Sequence, residues 1–377
     1  MFIEAIALIV LLGGSLVAAQ NSPDRLRSLV EQAAAAEQQN RLDEAVALYE
    51  EILRIRPGWA SAELNLGLVH HSRSDYVKAI QLLTGALRHN PALHSALLFR
   101  GASYYQTGRY DDAVRDLELY LKHRPDDVEA LSYLASVHRS RNDPARAALT
   151  YETLARVSKQ PSVYFQLSEC YVQLARDVMP QSSEKTEAYR RLAQAAADKV
   201  FAVGPESSWA RLLRAQAAEQ SGQIDVAEKE FERAIGAPDA GFETLVRFGQ
   251  FLAKQSQFDR GLELYARASR LEPQNARVKG LIGEIHALED RSEKAVPYLE
   301  SALKANPHET QTRLYLAQSL VKLSRVQEAI KILESAPEDP DGRVHYLLGR
   351  TYQQQGQTLK ANKAMEEFRK RRKPVKP

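Results

Sequence analysis

Past residue 25, apolar side chains recur every three or four positions, as on one face of a helix, and this short period repeats inside a longer one of about 34 residues. Units begin near Leu26, Ala60, His94, Val128, Pro161, Ser208, Phe242, Ala276, Thr310 and Gly342. The eighth place of each unit is small: Ala33, Gly67, Gly101, Ala135, Ser168, Ala215, Gly249, Gly283, Ala317 and Gly349. The twentieth is small as well: Ala45, Ala79, Ala113, Ala147, Ala193 after an insertion, Ala227, Gly261, Ala295, Ala329 and Ala361. Small residues at two fixed places let two helix backbones approach closely. The fifteenth place holds Asn40, Ser74, Gly108, Asn142, Gly222, Ser256, Asp290, Ser324 and Gly356, types that end one helix and turn into the next. Large residues such as Leu66, Leu83, Tyr104, Leu117, Phe248 and Tyr265 recur between these marks, and prolines such as Pro57, Pro91, Pro125 and Pro307 close many units. The pattern predicts one antiparallel helix pair per unit.

These places resemble the tetratricopeptide repeat family, whose units carry a small eighth residue on helix A, alanine at twenty on helix B, leucine or an aromatic at twenty-four and proline near thirty-two. The resemblance implies an all-α chain, a right-handed superhelical solenoid of about ten antiparallel helix pairs. On this reading residues 20–25 are a short lead-in, units one to four span 26–160, an extended fifth unit spans 161–207, and units six to ten span 208–368. Lys159 stands where unit four should close with proline, and Pro238 and Pro337 come early in units six and nine. Unit five is longer by about 13 residues, with its insertion near 176–188. Pro180 should stop its first helix and Ser182 or Ser183 cap the second, giving two extended helices rather than a loop. The extra length is either a tolerated insertion or a docking element or bend.

The chain opens differently. Ala5 to Ala19 carries no charge and ends in Val17-Ala18-Ala19, the pattern of a secretory signal over residues 1–19, cleaved after Ala19. The run is shorter than the ~20 residues that span a bilayer. Glu4, with no Lys or Arg beside it, departs from that pattern, and an uncleaved membrane anchor is the alternative. The expected location is therefore outside the cytoplasm, periplasmic or secreted.

Composition narrows the chemistry. Fifty-one Lys plus Arg against 48 Asp plus Glu leave a net charge of +3, which argues against a nucleic-acid coat. A single cysteine, Cys170, excludes an internal disulfide and any multi-cysteine metal site. The sequence has no phosphate loop, no His-Glu-x-x-His and no Gly-x-Ser-x-Gly. No catalysis, cofactor or metal is expected. His70, His138 and His286 share the eleventh place with Tyr104, Tyr171 and Tyr352, so they read as packing residues, and Cys170 reads as a small buried apolar group.

In the implied superhelix the first helix of each unit lines a concave surface, and a stripe at places two, five, nine and twelve, with its edge at six, faces a ligand. Its early part reads Leu64, Asn65, Leu68, His71, Leu98, Phe99, Tyr105, Tyr133, Phe165 and Trp209, apolar and aromatic. Later units offer Gln216, Glu219, Gln250, Glu284, Gln318, Arg343 and Arg350. Place five lies between units, so Leu64, Leu98 and Phe165 are either groove or core; Tyr105, Tyr133 and Trp209 are the stronger anchors. The carboxylate clamp of some family members is absent, because Val30, Ala34, Ser95 and Phe99 occupy the places that would accompany Asn65. A protein or peptide partner is expected, with envelope assembly or secretion as its setting. The tail at 369–377, including Arg369, Lys370, Arg371, Arg372 and Lys373, suits either a solubilising cap or contact with an anionic membrane or acidic partner. The rival functions are a nucleic-acid-binding solenoid using that tail and a regulatory subunit of a separate enzyme.

Overall fold

The computed structural model describes residues 23–371 except 180, 274, 338 and 340. The expected signal at 1–19, Pro180 and the residues from 372 onward lie outside that range. Among the described residues there are twenty α-helices and no strand. The described residues fall into two compact units that divide inside the long fifth hairpin, one reaching 159 and including 166–193, the other taking 160–165 and the residues from 194 onward.

The first unit is built from Pro23–Gln38 (α1), Leu42–Ile55 (α2), Ala60–Ser72 (α3), Tyr76–His89 (α4), His94–Gln106 (α5), Tyr110–His123 (α6), Val128–Ser140 (α7) and Pro144–Val157 (α8). Pro161–Val178 (α9) and Ser183–Val203 (α10) form the long hairpin. The second unit continues with Ser208–Gln220 (α11), Ile224–Ile235 (α12), Phe242–Lys254 (α13), Phe258–Leu271 (α14), Ala276–Leu288 (α15) and Ser292–Ala305 (α16). It ends with Thr310–Lys322 (α17), Val326–Glu334 (α18), Arg343–Gln354 (α19) and Thr358–Arg371 (α20). Each unit is a solenoid in which a helix packs on its hairpin partner and on the next pair.

The turn chemistry is uniform. All nine residues at the fifteenth place adopt positive φ, from +54° at Asn40 to +75° at Gly108. The following amide then reaches back to the helix it leaves, as in Arg109 N to Tyr104 O and Arg325 N to Leu320 O, both 2.8 Å. This is the Schellman closure, which satisfies carbonyls that a helix end leaves unpaired. The next helix is capped where a short polar residue precedes it: Asp127 accepts from Ala130 N at 2.9 Å, and Asp143, with Pro144 behind it, from Arg146 N at 3.0 Å.

The small places do what their size suggests. Ala45, Ala79, Ala113, Ala147, Ala227, Ala295 and Ala329 are fully buried. Where place eight is glycine, it sits on place twenty-four: a β-carbon on Gly67 would lie 2.8 Å from Leu83 Cγ, and one on Gly283 2.6 Å from Leu299 Cγ. The interlocking side chains Leu83, Leu117 and Leu299 are fully buried, each burial stabilising the hairpin by roughly 2 kcal/mol.

The insertion is helical on both sides. α9 has 18 residues and α10 has 21, against 13 or 14 in regular units such as α5 and α6. Ser182 accepts from Lys185 N at 3.2 Å and so starts α10. The early prolines of units six and nine mark shortened second helices, α12 with 12 residues and α18 with 9. Two boundaries differ from the expected ones. α1 begins at Pro23 rather than Leu26, since proline suits the first turn of a helix. α20 runs through Arg371, so the first three residues of the basic tail are helical, with Lys370 and Arg371 paired to Glu366 and Glu367; cations are favoured in a helix's last turn.

Candidate functional site

Repeats two to four bring an aromatic row together along their first helices and the starts of two second helices. His71, at the twelfth place of α3, has its ring 5.6 Å from Phe99 on α5 and 5.4 Å from Tyr76, the first residue of α4. The motif recurs one repeat on: Tyr105, the twelfth place of α5, lies 6.3 Å from Tyr133 on α7 and 6.2 Å from Tyr110, the first residue of α6. His71 Nδ1 meets Ser103 Oγ at 2.9 Å, and the Tyr110 hydroxyl bonds to Ser140. Burial pushes the His71 pKa down. It pushes Tyr133 up, helped by the charge of Glu129 one turn earlier and by Tyr76 and Tyr105. His71, Phe99, Tyr105, Tyr110 and Tyr133 are all half-buried.

The other expected groove residues divide. Leu64 packs on Ala79, Leu83 and Ala96. Leu68 is half-buried. Asn65 donates to the Tyr49 hydroxyl at 3.2 Å, which in turn donates to Glu37 at 2.9 Å, so its amide serves the packing of the first two repeats. Leu98 and Phe165 correct the expectation: at 5% and 0% exposure they belong to the core, because place five lies between neighbouring pairs. Trp209 belongs to the second unit, where it lies 5.1 Å from Phe165, with Arg247 over the other ring at 5.4 Å. Tyr76 and Tyr110 lie outside a stripe drawn along first helices alone; the sequence signal that points to them is an aromatic at the seventeenth place of two successive units.

The matching face of the second unit is polar and cross-linked. Arg277 on α15 bonds Glu243 on α13 at 2.7 Å and Gln250 at 3.3 Å, and Arg247 holds the other oxygen of Glu243 at 2.7 Å. Lys254 joins Glu219 at 2.8 Å, Arg343 joins Gln311 at 2.8 Å, and Tyr315 bonds Glu284, whose carboxyl burial pushes upward. Gln318 and Arg350 are exposed. Charges committed to one another across repeats align the helices more than they solicit a ligand.

The titratable groups elsewhere serve packing. His70 and His138 are 4% and 3% exposed, and burial pushes both below the ordinary histidine value. Burial pushes the Cys170 thiol up to about 11, leaving it a neutral thiol. A cavity of about 390 Å³ opens beside Leu333, Asp339, Val344, His345 and Leu348. Its acid is already used: Asp339 accepts from Val344 N at 3.1 Å, His345 N at 2.9 Å and the His345 ring, which fixes the start of α19. Among the described residues no three His, Cys, Asp or Glu side chains gather as metal ligands, and no helix is long and apolar enough to cross a membrane.

Tetratricopeptide repeat family models match residues 15–60 with 98–161, 287–351 and 343–372, and a tetratricopeptide repeat-like domain model matches 158–314. No curated protein sequence matches the chain. Similar solved structures include a thermophilic TPR protein of Thermus thermophilus, 26% identical over 51% of this chain and 98% of that one, with a TM-score of 0.40. Yeast Tom70 is 16% identical over 92% of this chain and 91% of its own, TM-score 0.43. A tetratricopeptide repeat protein of Parabacteroides merdae is 18% identical over 69% and 98%, TM-score 0.45.

Proposed function

We propose that this chain, which belongs to the tetratricopeptide repeat family, is a non-catalytic scaffold that holds protein segments against the first-helix face of repeats two to four and serves assembly or secretion machinery in the cell envelope. The observation that carries the reading is the aromatic row formed by two equivalent triads, His71–Tyr76–Phe99 and Tyr105–Tyr110–Tyr133. Half-buried rings held by their neighbours present a large contact area with little side-chain entropy left to lose, which is why such residues anchor protein recognition. The equivalent face of the second unit carries ion pairs instead. Export rests on the uncharged run Ala5–Ala19.

The test is affinity purification of the tagged chain from its native cells beside the variant Tyr105→Ala/Tyr133→Ala. Captured proteins should be lost from the variant while its circular dichroism is unchanged; capture at the wild-type level would sink the groove assignment. Mass spectrometry of the same sample reads the N-terminus. A chain starting at Gln20 is expected, and one retaining Met1 with cytoplasmic proteins bound would overturn the export.

A further inference from the structure

We propose that His94 and His123 form a two-histidine site for a late first-row divalent metal ion, with Cu2+ the strongest fit, and that the ion clasps the two helices of repeat three at the end opposite their turn. The site lies wholly within the first unit and does not depend on the scaffold reading.

His94 is the first residue of α5 and His123 the last of α6, places one and thirty of the same repeat. The hairpin brings these two ends side by side, and the rings stand 3.7 Å apart between centres, at 77° to each other. No other repeat has histidine at both places.

Repeat two shows what a histidine at place thirty does when it has an acid to meet. There His89 Nδ1 bonds Glu63 Oε2 at 2.7 Å, joining place thirty to place four. In repeat three place four is Leu97, 5% exposed. It offers His123 no carboxylate, and the ring lies against His94 instead. The result is two bases in contact. His94 Nδ1 is shielded from solvent and has no hydrogen-bond partner among the described residues. A shielded ring nitrogen is costly to keep unpaired, and a shared cation gives the lone pairs of both rings a partner.

Neutral imidazole selects ions such as Ni2+, Cu2+ and Zn2+, with Cu2+ held most strongly, whereas Mg2+ and Ca2+ take oxygen. Metal–nitrogen bonds of about 2.0–2.1 Å put the centres of two rings on one ion roughly 4.5–5 Å apart. Binding therefore parts the pair by about 1 Å. His123 is exposed and ends its helix, so a side-chain rotation supplies that movement. No third His, Cys, Asp or Glu joins the pair among the described residues, which leaves the remaining positions of the ion to water. Phe99 and Tyr105 lie on α5 and Tyr110 on α6, so the ion stiffens the repeat that carries these rings.

The probe is Cu2+ titrated into the full chain by calorimetry, beside His94→Gln, His123→Gln and the double variant, with circular dichroism to confirm unchanged helicity. Two rings on one ion make each single replacement weaken binding at least tenfold, and the second replacement adds no more than about threefold. His89→Gln should leave the affinity unchanged. Paramagnetic resonance of the one-to-one complex should show two coupled imidazole nitrogens. Hydrogen exchange should slow at least tenfold in α5 and α6 when the wild type is saturated, and not in the double variant, because a ligand of the folded repeat opposes its opening. Equal affinity in the double variant would place the ion elsewhere on the chain. A single coupled nitrogen, or losses that simply multiply between the two replacements, would mean separate imidazoles. Unchanged exchange at saturation would remove the clasp. Any of these overturns the proposal.

Discussion

Gly249 on α13 lies so close to Tyr265 on α14 that a β-carbon added to it would overlap the ring's Cε1 and stand 2.9 Å from its Cδ1. The ring is 1% exposed and has no room to withdraw. Gly249→Ala should therefore destabilise the second unit by about 1–2 kcal/mol, overpacking outweighing the gain of about 1 kcal/mol that alanine brings to a helix. Urea titration followed by circular dichroism measures it, and a stabilised variant would show that the hairpin relaxes around the ring.

The fifteenth places separate backbone strain from packing. Gly222 has φ +73°, and a β-carbon added there would meet nothing within 4 Å, so Gly222→Ala should cost about 1 kcal/mol from backbone conformation alone. Ser256 holds φ +59° with a side chain that bears the same strain. Ser256→Gly should gain about 0.5–1 kcal/mol, net of the added freedom of the unfolded chain. Opposite signs for these two substitutions in one melting series are the expected result.

Arg313 is 3% exposed and meets three oxygens that carry no formal charge: Ile332 O at 2.7 Å, Ser335 Oγ at 3.0 Å and Pro307 O at 2.5 Å. It closes the short helix α18 from inside the array, a cation at a helix C-terminus. Arg313→Ala should lower stability by about 2–4 kcal/mol. Arg313→Lys should recover only part of this, because a single ammonium cannot reproduce the planar fork. Hydrogen exchange should localise the loss to residues 326–345.

His70 and His138 make a pH prediction. Burial lowers both pKa values below the unfolded value of 6.5. Below pH 6.5 the unfolded chain therefore binds protons that the folded one does not, and stability falls with pH until the folded imidazoles themselves protonate. Glu129, Glu272 and Glu284 act in the opposite sense, since burial raises their carboxyls. The histidine share is read as a difference: His70→Phe/His138→Phe should lose less stability between pH 7.5 and 5.5 than the wild type. An identical slope would place the acid sensitivity elsewhere.

Much of the fold is legible in the sequence because it depends on local rules repeated many times. The starts of α3, α5, α7, α9, α11, α13, α15 and α17 coincide with the unit boundaries read from the period, since glycine, asparagine or serine at the turn and alanine at the close approach are each forced by sterics. The site is less legible. Phe165 has the composition of a groove residue, but whether place five faces a neighbour or the solvent is decided by how adjacent pairs stack, and no periodicity encodes that. Tyr76 and Tyr110 reach the row from second helices, across the turn, so a stripe drawn along first helices passes them by. Arg313 shows the same limit from the other side: a charged residue at the fourth place of a first helix reads as surface, and only the early end of α18 brings Ile332 O and Ser335 Oγ to it.

The uniform turns also bear on mechanics. Nine of the ten hairpins are sealed by the same backbone closure, and within each unit a hairpin leans on its neighbours, so tension meets a series of similar clasps instead of one keystone. Such a chain should lengthen in a staircase, each tread releasing one hairpin of roughly 34 residues, or about 120 Å of contour. A protein stretched between two bodies in this way behaves as a ratcheted tether, yielding reach a notch at a time and keeping the rest of its array intact.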